Sequence, residues 1–107
     1  MYKPHYLPLA LDDLKNIIRY IANELEAPRA AEKLLLKIDK EVLKIAENPF
    51  RCHRYISSEK LKYDYRVLHI NSYSLFYTVE KDNIEIFRVI YSKRNIQKIL
   101  AEQEKDN

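Results

Sequence analysis

The chain has no glycine in its 107 residues, and that absence bears on every tight turn and phosphate loop it can build. Glycine enters left-handed or crowded backbone at no steric cost, so other residues must take those positions here. The Walker A loop, the dinucleotide fingerprint and the kinase loop all need glycine where the backbone approaches phosphate. Nucleotide binding by those routes is excluded. A hydrophobic share of 47% against 33% charged residues suits a folded chain with a core and a polar surface. The length allows one core rather than two, so a single domain over 1–100 is expected, followed by a charged tail, 101–107, that frays.

Cys52 is the one cysteine and has no internal partner, which points to a reducing compartment, the cytoplasm. It reads as a small apolar packing residue. No apolar run approaches the roughly 20 residues a bilayer span requires, and the first residues lack a signal peptide's apolar segment, so no membrane role is expected. His5, His53, His69 and Cys52 are the soft ligands available. None is spaced with another as a metal site demands, and no metal or cofactor is expected.

Helical periodicity dominates the first half. Pro8 suits the first position of a helix, where its missing N–H costs nothing. Leu14, Ile17, Ile18, Ile21, Ala22 and Leu25 then recur on one face of a 3.6-residue period, with Asp12 and Asp13 expected in the first turn, near the positive end of the helix dipole. Pro28 opens a second helix with the apolar set Ala31, Leu34, Leu35, Ile38, Val42, Ile45 and Ala46, ending before Pro49. The two form an antiparallel hairpin. Leu36 and Leu43, seven apart and off that stripe, either flank the core or offer a strip to a partner.

Beyond an irregular basic stretch the period changes to two. Residues 64–70, 73–80 and 84–91 are rich in β-branched and aromatic residues and read as a three-stranded antiparallel meander. Alternation places Tyr73, Leu75, Tyr77 and Val79 toward the core and Ser74, Phe76, Thr78 and Glu80 away from it. With an extended segment before Pro8 and a helical turn over 96–100, the expected fold is α+β. Its order is β-α-α-β-β-β, an antiparallel sheet with the two-helix hairpin packed on one face.

Charge is uneven along the chain. Residues 1–50 are neutral overall, 51–100 carry a net +5 and 101–107 a net −2. A basic half favours an acidic or polyanionic partner if the fold gathers its cations on one face, and is plain solubilising charge if it does not. Within the strands, Arg66 and Arg88 must reach water, a partner or a carboxylate. Each admits either a cross-strand ion pair, with Asp64, Glu80 or Glu85, or an outward-facing role. Of the nine tyrosines most read as structural, with Tyr65 and Tyr91 the candidates for an exposed site.

Several segments taken in order resemble the RelE/ParE superfamily of bacterial toxins, the plasmid stabilisation family. They are Tyr6-Leu7-Pro8-Leu9-Ala10-Leu11-Asp12-Asp13-Leu14, Asn48-Pro49-Phe50-Arg51-Cys52, Tyr65-Arg66-Val67-Leu68, Tyr73-Ser74-Leu75-Phe76-Tyr77-Thr78-Val79, and the run from Ile84 through Lys93-Arg94. The resemblance implies the toxin of a type II toxin–antitoxin pair, which arrests growth and is neutralised by a cognate antitoxin. It leaves two activities open: a ParE-like inhibitor of DNA gyrase, or a RelE-like endonuclease cutting mRNA on the ribosome.

By the same resemblance, Arg66 and Arg94 match two basic positions of the RelE-like cluster. Leu68 and Ser74 stand where further basic residues belong, and Leu100 stands near an expected tyrosine. Arginine stabilises phosphate charge but does not accept protons, so proton transfer would fall to His53, His69, Tyr91 or Lys62. The candidates for chemistry are therefore Arg66, Arg94, Tyr91 and His69. Those for gripping a target or antitoxin are Arg51, Arg54, Lys62, Arg88, Lys93, Leu36 and Leu43. The depleted basic cluster and long hairpin are more ParE-like, which makes the gyrase inhibitor the first expectation and the ribosome-dependent nuclease the alternative.

Overall fold

The computed structural model describes residues 1–105. Strand β1 (Lys3–Tyr6) leads into helix α1 (Pro8–Arg19), which ends in a wide π-type turn over Tyr20–Glu24; helix α2 (Pro28–Glu47) follows. Both helices carry proline in their first turn, as the sequence predicts. Asp12 and Asp13 lie beyond the first turn of α1, so neither caps the dipole there. Strands β2 (Arg66–Ile70), β3 (Tyr73–Glu80) and β4 (Asn83–Tyr91) form the meander, and helix α3 (Ile96–Lys105) closes the described chain. No helix among the described residues is long and apolar enough to cross a membrane.

The sheet order is β1-β4-β3-β2. The three meander strands are antiparallel, but β1 runs parallel to β4, so the sheet is mixed rather than wholly antiparallel. A parallel neighbour needs a long connection, and here the helical hairpin and two strands lie between the pair. Where β1 stops, α1 takes over the edge of β4: Leu7 N–H donates to Ile86 O at 2.9 Å, and the Asp13 carboxylate accepts Val89 N–H at 2.9 Å.

The hairpin covers one sheet face. Ala10, Leu14, Leu34, Ile38, Val42, Ile45 and Ala46 pack against Ile70, Leu75, Tyr77, Ile84, Ile86 and Val89, largely the stripes that periodicity selects. Tyr77 lies buried in this core and its hydroxyl donates to Pro49 O at 2.7 Å. Burial pushes its phenol well above the ordinary range. Tyr6 flanks the same core, and its phenol is pushed up to about 12, by burial first and then by Asp39.

The opposite face is covered as well, contrary to the expectation that Phe76 points away from a core. Phe76 is fully buried with Tyr65, Phe87, Ile90 and Leu100, beneath α3 and the segment before β2. Nor do residues 101–105 fray: α3 runs through Lys105, because Glu104 is only 5% exposed and is fully engaged. Its carboxylate accepts Lys62 N–H at 2.9 Å, Tyr63 N–H at 3.4 Å and the Tyr65 hydroxyl at 2.7 Å. A second clasp sits one end of the helix away, where Gln97 Oε1 accepts from Ser57 Oγ at 2.7 Å and from Ser58 N–H and Oγ. Residues 106 and 107 of the expected tail lie outside the described residues.

With no glycine available, left-handed backbone falls to Glu26 (φ 50°), Asn71 (φ 53°) and Lys81 (φ 54°). The last two make the β2–β3 and β3–β4 turns, where such a conformation matches strand twist.

Candidate functional site

The basic residues of the second half do not converge. Arg66 opens β2 on the hairpin side of the sheet. Its Nη1 donates to Cys52 O at 2.7 Å and more weakly to Phe50 O at 3.5 Å; its guanidinium carbon lies 5.1 Å from the centre of the Phe50 ring, a cation–π distance. None of Asp64, Glu80 and Glu85 forms an ion pair with it among the described residues. Asp64 instead pairs with Arg54 at 2.9 Å, both side chains being open to solvent. An exposed pair of this kind contributes about 0.5 kcal/mol. Phe50, Arg54, Asp64, Arg66 and Val79 line a cleft of about 240 Å³, with Arg51 exposed nearby in sequence.

Arg88 is largely buried and paired within the fold. It bonds Asp13 in a fork, Nε at 2.7 Å and Nη2 at 2.9 Å, with only 16% and 15% of the two side chains exposed. The Asp13 bond raises its already high pKa further. The expectation of an ion pair with Asp64, Glu80 or Glu85 is corrected: the Arg88 charge is matched inside the fold by the helix carboxylate of Asp13.

Arg94 lies at the far corner. Its N–H donates to Tyr91 O at 3.0 Å in the turn after β4, and the exposed side chain borders a second cleft of about 240 Å³ lined by Leu9, Arg88, Arg94, Ile99, Glu102 and Gln103. Lys93 is exposed beside it. Arg66 is registered with Tyr77 and Ile86, while Tyr91 is registered with Tyr73. Four residues along β3 and two strand spacings therefore separate Arg66 from Tyr91 by roughly 17 Å. Arg66 and Arg94 line separate clefts, and the Arg66 guanidinium is engaged by the Cys52 carbonyl.

The remaining candidates are also dispersed. Tyr91 is 41% exposed and packs edge-on against Tyr73 at 6.0 Å. Tyr65, the other tyrosine expected to be exposed, is buried and bonded to Glu104; burial first, then that hydrogen bond, pushes its phenol far up. His69 Nδ1 lies 3.0 Å from Ser74 Oγ, which lies 2.7 Å from Ser92 Oγ. The Lys62 ammonium reaches the Glu104 carbonyl at 3.4 Å, and His53 serves the fold through its carbonyl, which accepts Val67 N–H at 3.0 Å. Neither arginine cleft contains a histidine or tyrosine. No group of three His, Cys, Asp or Glu side chains that could hold a metal comes together among the described residues.

The helical hairpin offers a different surface. Leu14, Lys15, Ile18, Arg19, Ala22 and Leu35 line an open groove of about 390 Å³ between α1 and α2. Leu36 and Leu43, at 61% and 60% exposure, stand on the outer side of α2 and do not line it.

The sequence over residues 5–96 matches the family described as "ParE toxin of type II toxin-antitoxin system, parDE". The chain belongs to that family. Its fold is similar to a solved structure described as "Chromosomal ParDE TA system from P. aeruginosa", with a TM-score of 0.70 at 20% identity, over 87% of this chain and 98% of that one. No curated protein matches the sequence significantly. As a ParE-family toxin, the chain confirms the RelE/ParE resemblance read from its sequence.

Three site features of this ParE-family chain escaped sequence reasoning. Asp13, as the partner of Arg88, is 75 residues away and has no local signature. Phe50 lies under Arg66 because the chain after α2 folds back toward β2. Gln103 and Glu104 sit in a polar run that reads as a tail, and only the helix they belong to turns them inward.

Proposed function

We propose that this ParE-family protein arrests growth by binding and inhibiting DNA gyrase, without cutting nucleic acid itself, and that a cognate antitoxin neutralises it. The observation that carries this reading is the dispersal of the cations. Cleavage of RNA needs a base for the 2′-hydroxyl, charge stabilisation at the phosphorane and an acid for the leaving oxygen, all within hydrogen-bond reach of one phosphate. Arg66 and Arg94 lie at opposite corners, Arg88 is neutralised by Asp13, and neither cleft brings a histidine or tyrosine to its arginine.

The antitoxin of this reading docks on the hairpin. The groove between α1 and α2 has an apolar floor with Lys15 and Arg19 in its lining, which suits an amphipathic helix with acidic flanks, the helix-in-groove mode of recognition. Leu36 and Leu43, on the outer side of α2, extend the apolar area open to such a partner. Purified protein is expected to block gyrase supercoiling and to leave ribosome-bound transcripts intact. Truncated transcripts together with unaffected supercoiling would overturn the reading in favour of the ribosome-dependent nuclease.

A further inference from the structure

One side-chain cluster outside both arginine clefts has the parts of an activated nucleophile. His69 Nδ1 lies 3.0 Å from Ser74 Oγ, which lies 2.7 Å from Ser92 Oγ. Strand register builds this chain: His69 of β2 stands opposite Ser74 of β3, and Ser92 N–H donates to Ser72 O at 2.8 Å, which draws the residue after β4 back against them. The two ends are exposed, whereas Ser74 between them is fully buried. A buried hydroxyl has to donate as well as accept, so the protons of the chain all run one way. With the ring proton on Nε2, Ser92 donates to Ser74 and Ser74 donates to His69 Nδ1. The exposed Ser92 oxygen is then joined to a base through an intermediary sealed from water. Ser57 and Ser58 differ, because their hydroxyls donate to Gln97 Oε1, an amide oxygen that takes no proton.

We infer that Ser92 is a site of covalent acylation by activated esters or thioesters, with Ser74 as its relay and His69 as its base. Ser92 Oγ attacks the acyl carbon, its proton passes to Ser74 Oγ, and the Ser74 proton passes to His69 Nδ1. The tetrahedral adduct then expels its alkoxide or thiolate. An O-acyl serine remains, and the imidazolium returns its extra proton to the leaving group or to water. Lys93 and Arg94, exposed and next in sequence, add positive potential where the oxyanion develops. A nucleotide phosphoryl donor fits less well, because the chain has no glycine with which to cradle its phosphates. The inference is independent of the gyrase reading, since it uses neither the hairpin groove nor the arginine clefts.

The test treats the full chain with p-nitrophenyl acetate, follows release of p-nitrophenolate and maps the acetyl groups by peptide mass spectrometry. Ser92 is expected to be acetylated ahead of Ser57, Ser58 and Ser72, with the acetylated lysines as the internal reference in every variant. Ser92→Ala should abolish the fast phase of release. His69→Gln, at an exposed position, should slow it about a hundredfold, at the lower end of what a general base contributes. Ser74→Ala should slow it comparably, and the double variant no further, because one broken link disables the whole chain. Ser92 acetylated no faster than Ser58 and Ser72 overturns the assignment. So does a cluster that serves structure alone, in which His69→Gln and Ser74→Ala lower the melting temperature while Ser92 is acetylated at the original rate. Inhibition of gyrase supercoiling is measured separately, and that reading stands or falls on its own.

Discussion

The two faces of the sheet are covered by different means. On the hairpin face, α1 and α2 press two periodic apolar stripes onto Leu75, Tyr77, Ile84 and Ile86. On the other, a smaller and more aromatic cluster around Tyr65, Phe76 and Phe87 is held under α3 by Glu104 and Gln97. Burial on the first face is spread over many side chains, so no single polar contact decides it. On the second, two side chains join α3 to the segment that precedes β2, and the cover depends on them. Nondirectional area stabilises the one, and directional bonds locate the other.

Substitutions on each side sharpen that contrast. Ile38→Ala, at a fully buried position in the middle of α2, should cost about 3 kcal/mol through lost transfer energy and the cavity left behind. Chemical denaturation should show it as a lower midpoint for the whole molecule. Glu104→Ala strands two backbone donors and a buried phenol, and about 2 kcal/mol should be lost. Its signature is local: amides of α3 and of residues 61–65 should exchange faster while those of α2 keep their protection, and uniform loss across both faces would break the contrast. Gln97→Ala should act in the same place with about half that effect, near 1 kcal/mol.

Alkaline pH gives the smallest effect at its onset. The folded-state phenols of Tyr6, Tyr65 and Tyr77 all lie above the ordinary 10.0. The unfolded chain therefore loses these protons first, stability is complete below pH 10, and it falls progressively as pH rises past that value. The Tyr6 share of the decline levels off near pH 12. Thermal melting from pH 9 upward checks the slope, and Tyr65→Phe should remove the part that belongs to the α3 face.

Regular periodicity made the hairpin legible. Pro8 and Pro28 marked its starts, and the buried stripe of α2 emerged residue for residue except for Leu35, which is 37% exposed and lines the groove. The meander was equally readable from its β-branched runs. Alternation failed on β3, where Ser74, Leu75, Phe76 and Tyr77 are all buried, because a strand covered on both faces has no polar side to show. Failure at the C-terminus had another cause. A carboxylate that becomes a buried acceptor looks in sequence like any other surface charge, so the pattern over 96–100 predicts a helical turn but not its continuation through Glu104 to Lys105. The cations were visible as residues but not as an arrangement: that Arg88 meets Asp13 and that Arg66 and Arg94 stand apart follow from strand register and helix docking, which no local pattern encodes.

The positive backbone angles at Glu26, Asn71 and Lys81 carry a consequence for engineering. Each holds a β-carbon where the conformation favours none, at a cost of about 1 kcal/mol. Asn71 recovers part of it through its side-chain oxygen, which accepts from Lys37 Nζ at 2.8 Å, whereas Glu26 and Lys81 have no such contact among the described hydrogen bonds. Thermostable versions of this toxin are therefore to be sought by writing glycine into its bends, at Lys81 first, leaving its packed interior untouched.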